Sequence, residues 1–95
     1  MSLLYLDDMA EGGRTLADRA TELRRWIATG QARHLRVAAG LSQALVAQDC
    51  EVTASAVHRW EVGDRLPRGR NIVAYHSFLA RLAAVIAEGD DDCDG

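Results

Sequence analysis

Lysine is missing from this sequence, and all eleven basic residues are arginine. Proline occurs once, at Pro67, and cysteine twice, at Cys50 and Cys93. Cys50 falls in an apolar slot of a predicted helix and Cys93 in an acidic tail. That pattern excludes a disulfide-stapled secreted scaffold and makes the cytoplasm the default compartment. His34, His58 and His76 lie at no zinc-ligand spacing. No run of 18 apolar residues is present, so no membrane-spanning helix is expected. The opening MSLLYLDDMAEGG has no basic region and reads as no signal peptide. No stretch alternates with period two, which predicts no sheet, and no internal repeat is visible. There is no Ser/His/Asp or Cys/His constellation, no glycine-rich phosphate loop and no carboxylate pair in an apolar setting. The expectation is therefore no enzyme, no cofactor and no metal.

The 95 residues suffice for one small domain, and the 48% apolar content argues against global disorder. The net charge is −3, but it is unevenly spread. Asp7, Asp8 and Glu11 crowd one end, and Glu88, Asp90, Asp91, Asp92 and Asp94 crowd the other. Between residues 14 and 87 six acids face all eleven arginines, a net of +5. The body is basic and the ends are acidic. Arginine suits bidentate contacts with phosphate and guanine, although a GC-rich genome yields the same bias without function.

The apolar spacing predicts five helices. Thr15 caps the first, over 15–28, with Asp18 three residues on as a near-match to a capping box. Leu16, Ala20, Leu23 and Ile27 share its inward face, with Arg19, Arg24 and Arg25 off it. Gly30 is expected to break or bend the chain. A helix over 31–39 turns Ala32, Leu35 and Ala39 inward and stops at Gly40. Ser42 caps a helix over 43–50, and Thr53 caps the next, over 54–62, which ends at Gly63. The loop GDRLPRGR follows. The last helix, 71–87, has an apolar stripe of Ile72, Tyr75, Leu79, Leu82 and Ile86, widened by Phe78 and Val85. This organisation gives an arm at 1–13, a domain at 14–87 and a solvated, disordered acidic tail at 88–95.

Within Gln43–Val62, the apolar residues Val46, Cys50, Val52, Val57 and Trp60 recur at the spacing of two short helices crossing steeply. Ala47 is small where the second helix passes close over the first. Ala54, Ser55, His58 and Arg59 then face outward, with Thr53 at the helix start. In a helix-turn-helix that face enters the major groove.

The segment GLSQALVAQDCEVTASAVHRWEVGDRLP resembles the Cro/cI-type, or xenobiotic-response-element, helix-turn-helix family of phage repressors and bacterial regulators. Gly40-Leu41-Ser42-Gln43, Ala47, Val57, Trp60-Glu61-Val62-Gly63 and Pro67 carry the likeness, which covers about residues 31–83. It implies an all-α, lambda-repressor-like five-helix domain with an N-terminal extension. It also implies a sequence-specific regulator binding double-stranded DNA. Thr53, Ala54, Ser55, His58 and Arg59 would read bases, and Ser42, Gln43, Arg65, Arg68 and Arg70 would hold the backbone. Trp60 is expected in the core, and Glu61 in a structural hydrogen bond or ion pair. Two departures stand out. Glu51 occupies the turn slot where the family has glycine, at a cost of about 1 kcal/mol if the left-handed conformation is kept. Leu45 fills a position usually polar.

One recognition helix is a weak sole contact, so a homodimer on two half-sites is the expected form. The helices at 15–28 and 71–87 both offer a dimer surface. The size suggests a small phage or prophage Cro-like repressor with no small-molecule ligand. The alternatives are an antitoxin that regulates its own operator, and a phage recombination-directionality or architectural factor. The acidic tail is a solvated end or a competitor of DNA for the arginine face.

Overall fold

The computed structural model describes residues 15–94, with side chains described through residue 87. Among them are five helices and no strand: α1 (Leu16–Thr29), α2 (Gln31–Ala38), α3 (Gln43–Cys50), α4 (Ala54–Val62) and α5 (Arg70–Asp94). The expected all-α class and helix order hold.

Local chemistry sets most of the boundaries. Thr15 and Asp18 form a reciprocal capping box at the start of α1, satisfying two backbone N–H groups that a helix start leaves open. Ser42 accepts from the Leu45 N–H at 3.0 Å, and Thr53 from the Ala56 N–H at 3.1 Å. Gly30 is left-handed, with φ 84°, and joins α1 to α2 with no intervening loop. After α2, the Leu41 N–H reaches the Arg36 carbonyl and the Gly40 N–H reaches that of Val37. This is the Schellman pattern that a left-handed glycine permits.

Twelve buried side chains, drawn from every helix, form one core. α1 contributes Leu23 and Ile27, and α2 contributes Ala32 and Leu35. Val46, Ala47 and Cys50 come from α3, Val57 and Trp60 from α4, and Tyr75, Phe78 and Leu79 from α5. Each large apolar side chain so buried is worth about 1.5–3 kcal/mol relative to exposure. α3 packs chiefly on α4, while α1 and α2 pack on α5. The Trp60 and Tyr75 rings, 4.8 Å apart, join α4 to α5.

Several details depart from the sequence reading. Leu16 is half exposed, one turn before Ala20, and Val85 is exposed, well past the last buried residue, Leu79. Arg19 is not off the packing face. It lies one turn from Leu23 on the same side, and its guanidinium approaches His76 Nδ1 at 3.4 Å and Ser77 Oγ at 3.3 Å. Its apolar stem allows that half-burial. His76 is itself buried, stacked on Trp26 with ring centroids 5.2 Å apart, and its Nε2 lies 2.8 Å from Glu22 Oε1. The backbone of α5 stays helical to Asp94, past the expected end at 87. One glycine, Gly89, costs a helix interior only about 1 kcal/mol. The arm at 1–13 lies outside the described residues.

Candidate nucleic-acid interface

The site begins with a turn that holds two short helices in register. Glu51 ends α3 with φ 62° and ψ 46°, the only left-handed residue other than glycine among those described. The Val52 N–H reaches the Ala47 carbonyl at 2.9 Å, and the Glu51 N–H reaches that of Gln48 at 3.3 Å. The family's turn conformation is thus kept despite the side chain. For a residue with a Cβ that conformation costs about 1–2 kcal/mol. The Glu51 carboxylate meets Arg70 at 3.2 Å, with both groups exposed.

A buried polar network fixes the pair from within. The Glu61 carboxylate is almost wholly enclosed, its side chain 1% exposed. Arg36 grips it with two nitrogens: Nε donates to Oε2, and Nη2 donates to Oε1 at 3.1 Å. The Arg36 Nη1 donates to the Leu41 carbonyl at 2.8 Å. The Gln43 amide nitrogen donates to Glu61 Oε1 at 3.0 Å and lies 3.4 Å from His58 Nδ1. The hydrogen bond to Glu61 raises the Arg36 pKa, so the guanidinium keeps its charge. One carboxylate therefore ties α2, the α2–α3 turn, the start of α3 and the end of α4. Next to it, burial pushes the Tyr75 phenol well above its usual range, with the Glu61 charge acting in the same sense. The Tyr75 hydroxyl has no hydrogen-bond partner among the described residues.

The opposite face of α4 is open. Thr53, Ala54, Ser55, His58 and Arg59 are all exposed. The Thr53 oxygen already caps α4, and His58 leans on Gln43 through Nδ1. The side chains of Ser55 and Arg59 make no hydrogen bond within the described residues. The Cα-proximal reach of Ala54 and Ser55 is short, while Arg59 is long and forked, the geometry of bidentate guanine recognition. Beyond Arg59, the chain turns at Gly63, with φ 79°, and the following loop bounds an open cleft of about 1100 Å³. Arg24, Arg59, Arg65 and Arg68 line this cleft, together with the single carboxylate of Asp64.

Residues 29–92 match a family model described as a helix-turn-helix domain. The chain belongs to the helix-turn-helix domain family. No curated protein and no solved structure matches it. In this helix-turn-helix, α3 and α4 are the paired helices, and the outer face of α4 is exposed. No helix among the described residues is long and apolar enough to cross a membrane.

The structure gathers some of the expected site residues and separates others. Arg59, Arg65 and Arg68 share one cleft. Arg70 lies outside it and pairs with Glu51. Ser42 is exposed at the start of α3, whereas Gln43 is half-buried with its amide committed to Glu61. Arg24 and Arg36 were not singled out from sequence. Arg36 has no motif to mark it, and only the enclosed Glu61 implies a cation opposite. Arg24 sits on α1, where sequence pattern shows only that it is off the apolar stripe.

Proposed function

We propose that this helix-turn-helix protein is a sequence-specific regulator of the Cro-like kind that binds double-stranded DNA as a homodimer. The observation that carries the reading is the division of α4. Its inner face is locked by Val57, Trp60 and Glu61, and its outer face presents Ser55 and Arg59 without hydrogen bonds among the described residues, with His58 held only by a 3.4 Å contact to Gln43. A rigid helix with short side chains near its start and a forked cation one turn on suits entry into a major groove. Arg59 is assigned to a guanine edge, Ala54 and Ser55 to a thymine methyl or one hydrogen bond, and His58 to a base or phosphate. Arg65 and Arg68 supply phosphate contacts, and Ser42 and Gln43 hold the first helix of the pair against the backbone. Dimerisation doubles the contact and sets two half-sites about 34 Å apart.

Selection from a random duplex library at fixed, near-physiological salt tests this, followed by anisotropy on the winner and a scrambled duplex. The expected winner is two-fold symmetric and is bound about 10³-fold or more above the control. Absence of any enriched duplex overturns the reading, and capture of a protein partner would put the antitoxin alternative in its place.

A further inference from the structure

The cleft beside α4 contains one residue that the paired helices do not account for. Arg24 belongs to α1, which ends at Thr29, where the family match only begins. It nevertheless lines the same cleft as Arg59, Arg65 and Arg68. All four guanidinium groups are on exposed residues, and none has an acid within ion-pair distance among the described residues. Other arginines are treated differently: Arg36 is paired with Glu61, Arg70 with Glu51 and Arg81 with Asp49. Arg25 and Arg33 are also exposed, but they lie outside this cleft. Four like charges on three segments, facing one another across open space with a single carboxylate, repel at rest. A polyanion entering the cleft relieves that repulsion.

We infer that α1 is part of the DNA interface and that Arg24 is a phosphate anchor, completing with Arg65 and Arg68 a clamp on the DNA strand that runs past the end of α4. The inference rests on the DNA-binding reading of α4 and extends it to a helix outside the paired helices. The shape favours a strand over a small anion. The cleft is open and about 1100 Å³, and its arginines are exposed. Arginine forks on an exposed surface hold phosphate oxygens in pairs and read no base. α1 is held firmly enough to serve: Glu22, Trp26 and Arg19 all contact α5 at His76 or Ser77.

The test measures the salt dependence of binding to the selected duplex and to a scrambled one, from about 50 to 200 mM salt. Wild type is compared with Arg24→Ala, Arg24→Lys and Arg68→Ala. Because Arg24 is exposed and unpaired, its variants should melt with wild type. The expected result is a slope of log affinity against log salt that is shallower by about 0.9 for Arg24→Ala, as for Arg68→Ala. The loss should be equal on both duplexes, and Arg24→Lys should restore the slope. Inorganic phosphate should displace DNA no better than chloride of equal ionic strength. An unchanged slope in Arg24→Ala, with a reduced slope in Arg68→Ala, would overturn the inference and leave the α4 reading intact. So would a loss confined to one sequence, which marks a base contact. Displacement by phosphate beyond the chloride control would make the cleft a small-anion site instead. Wild type that binds neither duplex overturns both readings at once.

Discussion

Arg59 and Glu61 stand two residues apart on α4, and their surroundings are opposite. Glu61 faces inward, with every carboxylate oxygen met by Arg36 or Gln43. Arg59 faces outward into a cleft shared with three further arginines and one aspartate. One face satisfies each charge from within the chain and fixes geometry. The other leaves its charges unmet. A charge with an internal partner serves the fold, while a group of like charges without partners is available to a ligand. The helix is therefore positioned by its buried polar face, and its open one is left accessible.

The sharpest way to break this contrast is to open the closed side. Arg36→Ala leaves the Glu61 carboxylate buried and unpaired, and it should cost about 3–5 kcal/mol in urea unfolding. Replacing both residues by apolar side chains of similar volume should recover much of that loss, because the desolvation penalty disappears with the charge. A loss below about 1 kcal/mol in the single variant would show that water reaches Glu61 and that the two faces differ less than the geometry says.

On the open side the effect should fall on binding and spare the fold. Arg59→Ala should cost about 1–3 kcal/mol on the selected site and much less on scrambled DNA, with unfolding unchanged. Equal losses on both duplexes would move Arg59 into the phosphate clamp with Arg65 and Arg68.

A smaller effect belongs to Tyr75, the one imperfection of the closed side. Its hydroxyl is buried without a partner, so Tyr75→Phe should be neutral or stabilising by up to about 1 kcal/mol at pH 7. Its raised pKa gives a second readout. Above about pH 10 the unfolded chain releases the phenol proton while the folded chain keeps it, so the unfolded state binds fewer protons. Stability should therefore fall with rising pH in wild type. Tyr75→Phe should flatten that fall in denaturation curves taken across this range.

The smallest effect concerns the turn between the helices. Glu51→Gly removes the left-handed strain, loses the exposed Arg70 pair and adds freedom to the unfolded chain. The net gain should be about 0.5 kcal/mol, visible as a slightly higher melting temperature with DNA affinity unchanged. A lower melting temperature would mean that the Glu51–Arg70 pair holds the turn more firmly than exposed pairs usually do.

Much of the fold was legible because its signals are local. Thr15, Ser42 and Thr53 each sit one residue ahead of a helix and cap it, and Gly30, Gly40 and Gly63 each take the left-handed conformation at an end. The apolar spacing within Gln43–Val62 placed Val46, Ala47, Val57 and Trp60 in the core, where they lie. What failed was reading faces for long side chains. Arg19 belongs to the α1–α5 contact because a guanidinium can bury its stem and still find a nitrogen and a hydroxyl. His76, without meaning at its sequence spacing, is buried between Trp26 and Glu22.

Sequence alone determined the five helices, the stops of the first four and the outward residues of α4, since capping, glycine conformation and apolar period act over a few neighbouring residues. Tertiary structure alone decided which charges are met. Arg36 reaches Glu61 across 25 positions of chain, and Arg24 arrives beside Arg59, Arg65 and Arg68 only because α1 packs on α5. Coulomb and hydrogen-bond partners depend on distance in space, and no local pattern encodes that distance.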